Sequence, residues 1–257
     1  MADPDERPDW FWELAIAANA VVKGLLGSMG QSGHICASVD PRAGEVDTDA
    51  GWAATLDRLV ELAAPAVQAG DVVVVADKVV AAGLRRVGPR AVLHDPDPKT
   101  VPADRMPALA ERWAGELGFP VTPQHLLLAD ELGTDRSTLG TDDPNGRAAE
   151  IAAAVAARAG LPVDAVISDT DTGLDTRTPL IGTVTLGATP IGATAGLNLY
   201  EAMRCAVAAE FARGHVRRVP VVVCRPAQRR AGRPGVGKPR DYAGFLAAGR
   251  EPGLAHA

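Results

Sequence analysis

A continuous run of β-branched residues constrains the fold of this chain more than any other feature of its sequence. Residues 71–76 read Asp-Val-Val-Val-Val-Ala and are flanked by Gly70 and Asp77. The run lacks the apolar and polar alternation of a strand that has one face in water. It therefore predicts a strand that is buried on both faces, in a sheet covered on both sides by other elements.

Helical and strand patterns alternate along the rest of the chain. Apolar residues at helical spacing predict further helices, and short apolar runs predict further strands. The predicted helices are 52–67, with Gly70 as a stop, 106–117, 142–160 and 201–212, and the predicted strands are 71–76, 165–168 and 219–224. We therefore expect an α/β or mixed α+β architecture rather than a bundle or a sandwich.

Two of these elements carry local signals at their ends. The helix near residue 142 has Asp142 or Asp143 as its N-cap, Pro144 in its first turn and Gly160 as its stop. In the last strand, Pro220 suits either a first residue or an edge strand, because proline cannot donate a hydrogen bond to a neighbouring strand.

Composition limits the partners and the compartment of the protein. The chain has 257 residues, a formal net charge of −6 and three cysteines that are far apart in sequence. The acidic balance argues against nucleic acid as the main partner, and the odd number of cysteines without a CxxC pair argues against a disulfide framework or a zinc knuckle. Without an apolar run of about 18 residues or a basic leader, we expect no membrane association and a cytoplasmic location.

Composition also divides the chain into three parts. Residues 1–34 form an N-terminal extension and linker, in which residues 9–26 predict one amphipathic helix. Residues 35–225 contain the alternating helices and strands, and residues 226–257 form a basic tail rich in glycine, proline and arginine. We expect one folded domain over 35–225.

Two acidic segments carry the strongest chemical pattern. Residues 169–175 hold three aspartates directly after a predicted buried strand, and residues 130–138 hold three carboxylates and several hydroxyls in what we expect to be a loop. Carboxylates at the carboxyl end of a strand are typical ligands of hard cations. The alternative is that both are solvated acidic turns whose side chains cap their own backbone amides.

Several known motifs are excluded. The glycine and glutamate positions of an EF-hand loop are not met in residues 169–180, and no HxxxH pair or GxSxG pattern occurs. Residues 232–238 match GxxxxGK, but Pro239 replaces the hydroxyl residue that would bind magnesium, and the strand and helix of a phosphate-binding loop are missing. A basic tail describes that segment better.

Six segments in one order resemble a known enzyme family. They are GDVVVVADKVV (70–80), LGTDRST (132–138), LGTDDPNGRAAEI (139–151), AVISDTDTG (165–173), PIGATAG (190–196) and AAEFARGHVRRVPVVVCR (208–225). Together, over about residues 35–225, they resemble the coenzyme F420-0:L-glutamate (γ-glutamyl) ligases. The resemblance implies that fold, an intertwined homodimer, and GTP-dependent formation of an amide through an acyl phosphate.

The resemblance also implies site residues. It places Asp135 and Asp169 as ligands of one Mg²⁺ or Mn²⁺ ion and Thr170 beside a second ion, and Thr138 falls where an asparagine contacts GTP. Such ions would bridge the aspartates and the phosphates of the nucleotide, which is the central requirement of phosphoryl transfer.

Three departures from the family pattern concern positions that form part of the family's nucleotide or acceptor site. The family carries a Ser-Lys pair that contacts nucleotide where this chain has Ala81 and Ala82, so Lys78, Arg85 or Arg86 would have to supply the cation. A Gln or Glu that helps bind metal and nucleotide is replaced by His215, after Gly214. The family's additional polar stretch after residue 196 is missing.

The leading hypothesis is a divergent, nucleotide- and metal-dependent ligase that joins an amino acid to the carboxylate of a small molecule. One alternative is a non-catalytic relative that binds a small molecule or a protein partner. Another is a metal-assisted lyase or isomerase that needs no nucleotide. Nucleotide dependence separates the first hypothesis from the other two.

Overall fold

The computed structural model describes residues 36–90, 96, 98–132, 135–169, 174–178, 182–186, 188–197, 199–213 and 219–226. Within them the fold is mixed α/β, with six helices and a mixed sheet, in agreement with the fold class that the sequence predicts. The predicted helix at 9–26 and the basic tail, including the GxxxxGK match, lie outside the described residues.

Ten strands and six helices have the following bounds. The strands are β1 Cys36–Arg42, β2 Val72–Ala76, β3 Val87–Pro89, β4 Asp130–Leu132, β5 Arg136–Thr138, β6 Asp164–Asp169, β7 Leu174–Thr178, β8 Gly182–Leu186, β9 Thr189–Ala193 and β10 Val221–Pro226. The helices are α1 Trp52–Ala63, α2 Asp77–Gly83, α3 Met106–Leu117, α4 Pro123–Leu127, α5 Pro144–Ala159 and α6 Leu199–Arg213. No helix in this part of the chain is long and apolar enough to span a bilayer.

The main sheet has five strands in the order β1-β10-β2-β6-β9. Its central pair, β2 and β6, is parallel, whereas the other three pairs are antiparallel. Two further sheets are small: β3-β5-β4, and the antiparallel pair of β7 and β8. Among the strands that the structure describes, only this parallel pair brings two carboxyl ends side by side, and an aspartate stands at each of them: Asp77 directly after β2 and Asp169 at the end of β6.

Strand β2 is buried on both faces, as its sequence predicts. Val73 and Val75 pack into a core that α1 and α5 cover, whereas Val72 and Val74 pack into a second core that α6 covers. Each fully buried valine contributes roughly 1.5–3 kcal/mol relative to an exposed one. The β-branched run therefore anchors the two layers of helices to one strand.

Helix α5 confirms the predicted end signals. Asp143 is its N-cap and accepts a hydrogen bond from Gly146 N at 3.1 Å through Oδ1, and Pro144 begins the helix. At the other end Gly160 adopts a left-handed conformation, with φ of 69°, and its N–H donates to Ala156 O. These contacts satisfy backbone groups that a helix leaves without partners at its ends.

Three predictions about secondary structure need correction. Helix α1 ends at Ala63 rather than near residue 67, because Pro65 has no N–H with which to continue the helical hydrogen bonds. Pro220 does not lie in an edge strand: it precedes β10, which lies between β1 and β2. Because Pro220 stands outside the strand, its missing N–H interrupts no strand pairing, and its carbonyl accepts from Ala76 N.

The third correction concerns residues 130–138, which form two short strands, β4 and β5, rather than a loop. Strand β5 also pairs with β3, so three very short strands support one another. Beside them, α3 and α4 surround the buried ring of Trp113 in a small core of their own. The charged residues of β4 and β5 do not favour strands, and the pairing with β3 overrides that local preference.

Candidate functional site

Asp77 and Asp169 stand at the carboxyl ends of the two parallel strands. Ala76 and Ser168 are register partners in the pair of β2 and β6, and each aspartate comes one residue later. Both side chains are buried, with exposed fractions of 4% and 5%. Carboxyl ends of neighbouring parallel strands are where α/β proteins place ligand-binding groups.

Asp77 is held by the backbone and side chain of one threonine. Thr141 N donates to Asp77 Oδ1 at 3.1 Å, and the Thr141 hydroxyl donates to the same oxygen. Burial raises the pKa of Asp77 to about 7, and the negative charges of Asp169 and Asp130 add to this effect. Asp169 and Asp130 therefore both act electrostatically on Asp77, and we call these three residues the aspartate cluster.

Asp130 reaches the cluster from the small sheet. Its Oδ2 lies 2.5 Å from the ammonium Nζ of Lys78, which follows Asp77 in the first turn of α2. Its register partner is Thr138, and the hydroxyl of this buried residue donates to the backbone carbonyl of Asp130. Lys78 and Thr138, both predicted to bind nucleotide, thus lie next to Asp130.

Asp135, a predicted metal ligand, lies at the turn between β4 and β5. Its side chain is exposed, and its backbone carbonyl accepts from Arg90 N at 2.9 Å. Along β5 it precedes Thr138 by three residues, about 10 Å at 3.3 Å per residue. The carboxylate of this hairpin that raises the pKa of Asp77 is that of Asp130.

Three other predicted site residues lie outside the described residues. They are Thr170, Gly214 and His215. Thr170 directly follows Asp169, the last residue of β6, and Gly214 directly follows Arg213, the last residue of α6.

The alternative cations differ in what they contact. Arg85 follows α2 in a left-handed conformation, with φ of 59°, and is exposed. Arg86 is buried, and its guanidinium contacts the carbonyls of Gly140 and Pro120 and Nδ1 of His125, at 2.9, 3.1 and 2.8 Å. These contacts give Arg86 a structural role, which leaves Lys78 as the cation beside the aspartate cluster.

Arg213 is a buried cation behind the cluster that the sequence analysis did not single out. Its guanidinium donates to Val74 O, Val219 O and Ser168 Oγ, at 3.1, 3.1 and 3.3 Å. Ser168 is the residue before Asp169, and the pairing of β6 with β9 shifts register between Ile167 and Ser168. Arg213 thus links α6 to the middle of β2 and to the carboxyl end of β6.

The aspartate cluster has the donor type that hard divalent cations prefer. Mg²⁺ is commonly bound through one or two carboxylates, with water and substrate phosphates as its other ligands. In the part of the chain that the structure describes, no three His, Cys, Asp or Glu side chains form a ready-made metal site. Mg²⁺ or Mn²⁺ would therefore fit here with one or two of the three aspartates and oxygens from a substrate.

Asp77 could have been found from the sequence by the same reasoning that found Asp169. Each directly follows a run that predicts a buried strand. In the sequence Asp77 is only the flank of its strand, and the parallel pairing of β2 with β6 makes it part of the site.

Comparison with known proteins assigns no family to the chain. No protein-family model and no curated protein matches it. The arguments about function therefore depend on the residues of the site and on the order of the six segments.

Proposed function

We propose that the chain is a nucleotide- and divalent-metal-dependent ligase that forms an amide between a small-molecule carboxylate and an amino acid. The observation that carries the proposal is the aspartate cluster at the ends of β2 and β6, with Lys78 beside it. The order of the six segments supports the type of reaction and a divergent relation to the F420-0:γ-glutamyl ligases. This relation suggests that the nucleotide is GTP and that the protein is a cytoplasmic homodimer.

The charges of the site favour binding of a metal with a phosphate. Burial raises the pKa of Asp77, the carboxylates of Asp169 and Asp130 add to this effect, and the ammonium of Lys78 lies beside Asp130. A bound Mg²⁺ or Mn²⁺ ion would neutralise carboxylates and phosphates together, which is the main contribution of such ions to phosphoryl transfer. Asp77 would release its proton as positive charge binds nearby.

The residues have distinct roles in the proposed reaction. Asp169 and Asp130 would hold the divalent ion, and Lys78, which now pairs with Asp130, would contact a phosphate oxygen of the nucleotide. The carboxylate of the acceptor would attack the terminal phosphorus of the nucleotide, which forms an acyl phosphate, breaks the bond to the next phosphate and releases the nucleoside diphosphate. The amine of the amino acid then attacks the acyl carbon, and phosphate leaves as the amide forms.

A second candidate has one observation in its favour. Ala81 and Ala82, at the positions of the family's nucleotide-contacting Ser-Lys pair, are buried in α2, with exposed fractions of 0% and 4%. At these two positions α2 packs against the protein core and offers no polar side chain to a phosphate. This favours a relative that keeps a metal site but uses no nucleotide, as a lyase, an isomerase or a binding protein.

Titration calorimetry of the full chain separates these candidates. GTP and ATP are each titrated with Mg²⁺, with Mn²⁺ and with a chelator, and the expected result is binding that requires the metal. Asp169→Asn is expected to weaken this binding by more than about tenfold. Mutation of a residue that only supports a metal ligand typically costs about 10–100-fold in metal affinity, and loss of the ligand itself is expected to cost at least as much. Absence of binding by both nucleotides with both metals would contradict the ligase proposal and favour the second candidate.

A pair of variants tests which carboxylate of the hairpin takes part. Asp130→Asn removes the negative charge beside Lys78. Asp135→Asn removes the carboxylate that the resemblance to the ligase family implies as a metal ligand. Asp130 pairs with Lys78 and raises the pKa of Asp77. We therefore expect Asp130→Asn to lose more metal-dependent binding than Asp135→Asn does. Asp57→Asn, at an exposed position of α1, is the matched control and is expected to bind as the unmodified chain does.

A further inference from the structure

All three cysteines of the chain meet in one buried cluster, although they are far apart in sequence. Cys36 begins β1, Cys205 lies in α6 and Cys224 lies in β10, and all three belong to the core between the sheet and α6. Their exposed fractions are 1%, 2% and 0%, and none is in a disulfide. A chain with only three cysteines has thus placed every thiol at one point of its core.

The three thiols lie close enough together to affect one another's pKa. Cys36 makes side-chain hydrogen bonds with Cys205 and with Cys224, and these contacts lower the pKa of Cys36. Cys224 Sγ also lies 3.6 Å from the carbonyl oxygen of Cys205. A thiol with a lowered pKa is the more reactive partner in oxidation, because the thiolate is the nucleophile.

Strand register limits which thiol can be joined to Cys36. Cys36 pairs with Pro226 and Cys224 with Val39, so the two cysteines share a face as diagonal neighbours. Diagonal neighbours in an antiparallel pair lie about 7–8 Å apart, beyond the 4.4–6.8 Å that separates most disulfide-linked Cα atoms. Cys205 lies on α6, which packs on both β1 and β10, so strand register does not restrict its distance from Cys36. Of the two thiols beside Cys36, Cys205 is therefore the one that can be joined to it.

We propose that Cys36 and Cys205 form a reversible intramolecular disulfide when the protein meets a peroxide, while Cys224 stays a thiol. Cys36 sulfur attacks one peroxide oxygen, which breaks the O–O bond and gives a sulfenic acid and one water. Cys205 sulfur then attacks the sulfenic sulfur and releases a second water. Two thiols and one peroxide thus give one disulfide and two waters, and a dithiol reductant reverses the change.

The place of Cys36 in the sheet gives the peroxide a route to it. Cys36 is the first residue of β1, which is the last strand on its side of the sheet in the described residues. The pairing of β1 with β10 is irregular between Cys36 and Ser38. Ends of outer strands open locally at much smaller free energy than central strands do, so Cys36 can become accessible while β10 stays in place.

Peptide mapping tests the pairing directly, because trypsin separates the three cysteines. Cleavage after arginine and lysine leaves Cys36 in peptide 24–42, Cys205 in peptide 205–213 and Cys224 in peptide 219–229. The reduced full chain is treated with hydrogen peroxide, alkylated with N-ethylmaleimide under denaturing conditions and digested. The expected result is a link between peptides 24–42 and 205–213, with peptide 219–229 alkylated.

Three results would overturn the proposal. They are a link that includes peptide 219–229, alkylation of all three cysteines after oxidation, and links only between two copies of the chain. Cys224→Ala is expected to keep the link and Cys205→Ser to abolish it. The map of the unmodified chain decides the question even where a variant fails to fold.

Discussion

Asp77 and Asp169 occupy equivalent positions one residue beyond the paired Ala76 and Ser168, at the carboxyl ends of two neighbouring parallel strands. Both are nearly inaccessible to solvent, and the charge of Asp169 raises the pKa of Asp77. Two buried carboxylates at adjacent strand ends repel each other unless a proton or a cation stands between them. This repulsion makes the site sensitive to pH and to bound metal.

Asp77→Asn is expected to stabilise the metal-free protein, and more so at pH 8 than at pH 5. The pKa of Asp77 lies at about 7 in the folded state against 3.8 ordinarily, so the folded protein holds the proton more tightly. The protonated Asp77 side chain therefore contributes to the stability of the fold at low pH, and this contribution is lost as pH rises from 3.8 through 7. Asparagine does not titrate in this range and keeps an oxygen that can accept from Thr141.

Urea unfolding with a chelator at both pH values measures this effect. The gain from Asp77→Asn is expected to be larger at pH 8 than at pH 5 by about 2 kcal/mol. The exposed Asp57→Asn serves as control and is expected to show no such difference. An equal effect of Asp77→Asn at both pH values would mean that Asp77 is ionised throughout the range.

His125 is expected to have the opposite effect over part of the same pH range. Burial lowers the pKa of His125 to about 4, and the charge of Arg86 adds to this effect. Nδ1 of the neutral ring accepts from Arg86 and from Thr122 N, at 2.8 and 3.1 Å. The stability that depends on the neutral ring is therefore lost as pH falls from 6.5 towards 4, by up to about 3 kcal/mol.

The two titrations are separated by measuring His125 in an Asp77→Asn background. There, the free energy of unfolding is expected to fall between pH 6.5 and pH 4, and the fall is expected to be smaller when His125→Asn is added. Asparagine can accept the same hydrogen bonds through its side-chain oxygen but takes up no proton. Identical pH profiles with and without His125→Asn would show that His125 does not cause the loss.

Arg213→Met is expected to destabilise the fold by about 2–4 kcal/mol. The substitution keeps apolar bulk but removes the donors to Val74 O, Val219 O and Ser168 Oγ, which are buried. Buried acceptors left without a partner cost roughly 1–3 kcal/mol each before relaxation. Arg112→Met, which removes an exposed ion pair on α3, is the control and is expected to change stability by less than about 0.5 kcal/mol.

Guanidinium unfolding of both variants checks this prediction, and Arg213→Lys refines it. A single ammonium on a flexible chain cannot reproduce three hydrogen bonds in the fixed directions of a guanidinium. Only partial recovery is therefore expected from lysine. Full stability of Arg213→Met would contradict the role of Arg213 in joining α6 to the parallel strands.

The elements that the sequence predicts well are those with short-range signals. Strand β2 is specified by four consecutive valines, and α5 by Asp143, Pro144 and Gly160, so neither needs a distant partner to be recognised. Strands β4 and β5 have no such signal. They exist because β3, more than 40 residues earlier, pairs with β5, and such pairing is not visible in a local window.

The residues of the candidate site divide in the same way, into those with a local signal in the sequence and those that depend on distant pairing. Asp169 follows a recognisable strand, and its chemistry could be inferred from that position alone. That Asp130 rather than Asp135 acts on Asp77 depends on the register of β4 with β5, which a single sequence does not specify. The meeting of Cys36 with Cys205 likewise depends on how α6 packs on β1.

Two glycines are expected to respond in opposite directions to alanine, because only one of them makes room for a neighbouring element. A Cβ atom at Gly192 in β9 would lie 2.3 Å from the backbone oxygen of Pro144, at the start of α5. Ala193 N also donates to Asn145 Oδ1 at 3.1 Å, which ties the same strand to the same helix end. Gly192→Ala is therefore expected to push α5 away from the sheet and to cost about 1–3 kcal/mol.

Gly115 has open space around it and lies inside α3, where it is exposed. Gly115→Ala is expected to stabilise the protein by about 0.5–1 kcal/mol, because alanine loses less backbone entropy than glycine when a helix forms. Thermal and urea unfolding of the two variants side by side measure both effects. A neutral Gly192→Ala would contradict the close approach of α5 to β9, whatever the result at Gly115, since Gly192 lies in β9 and Gly115 in α3.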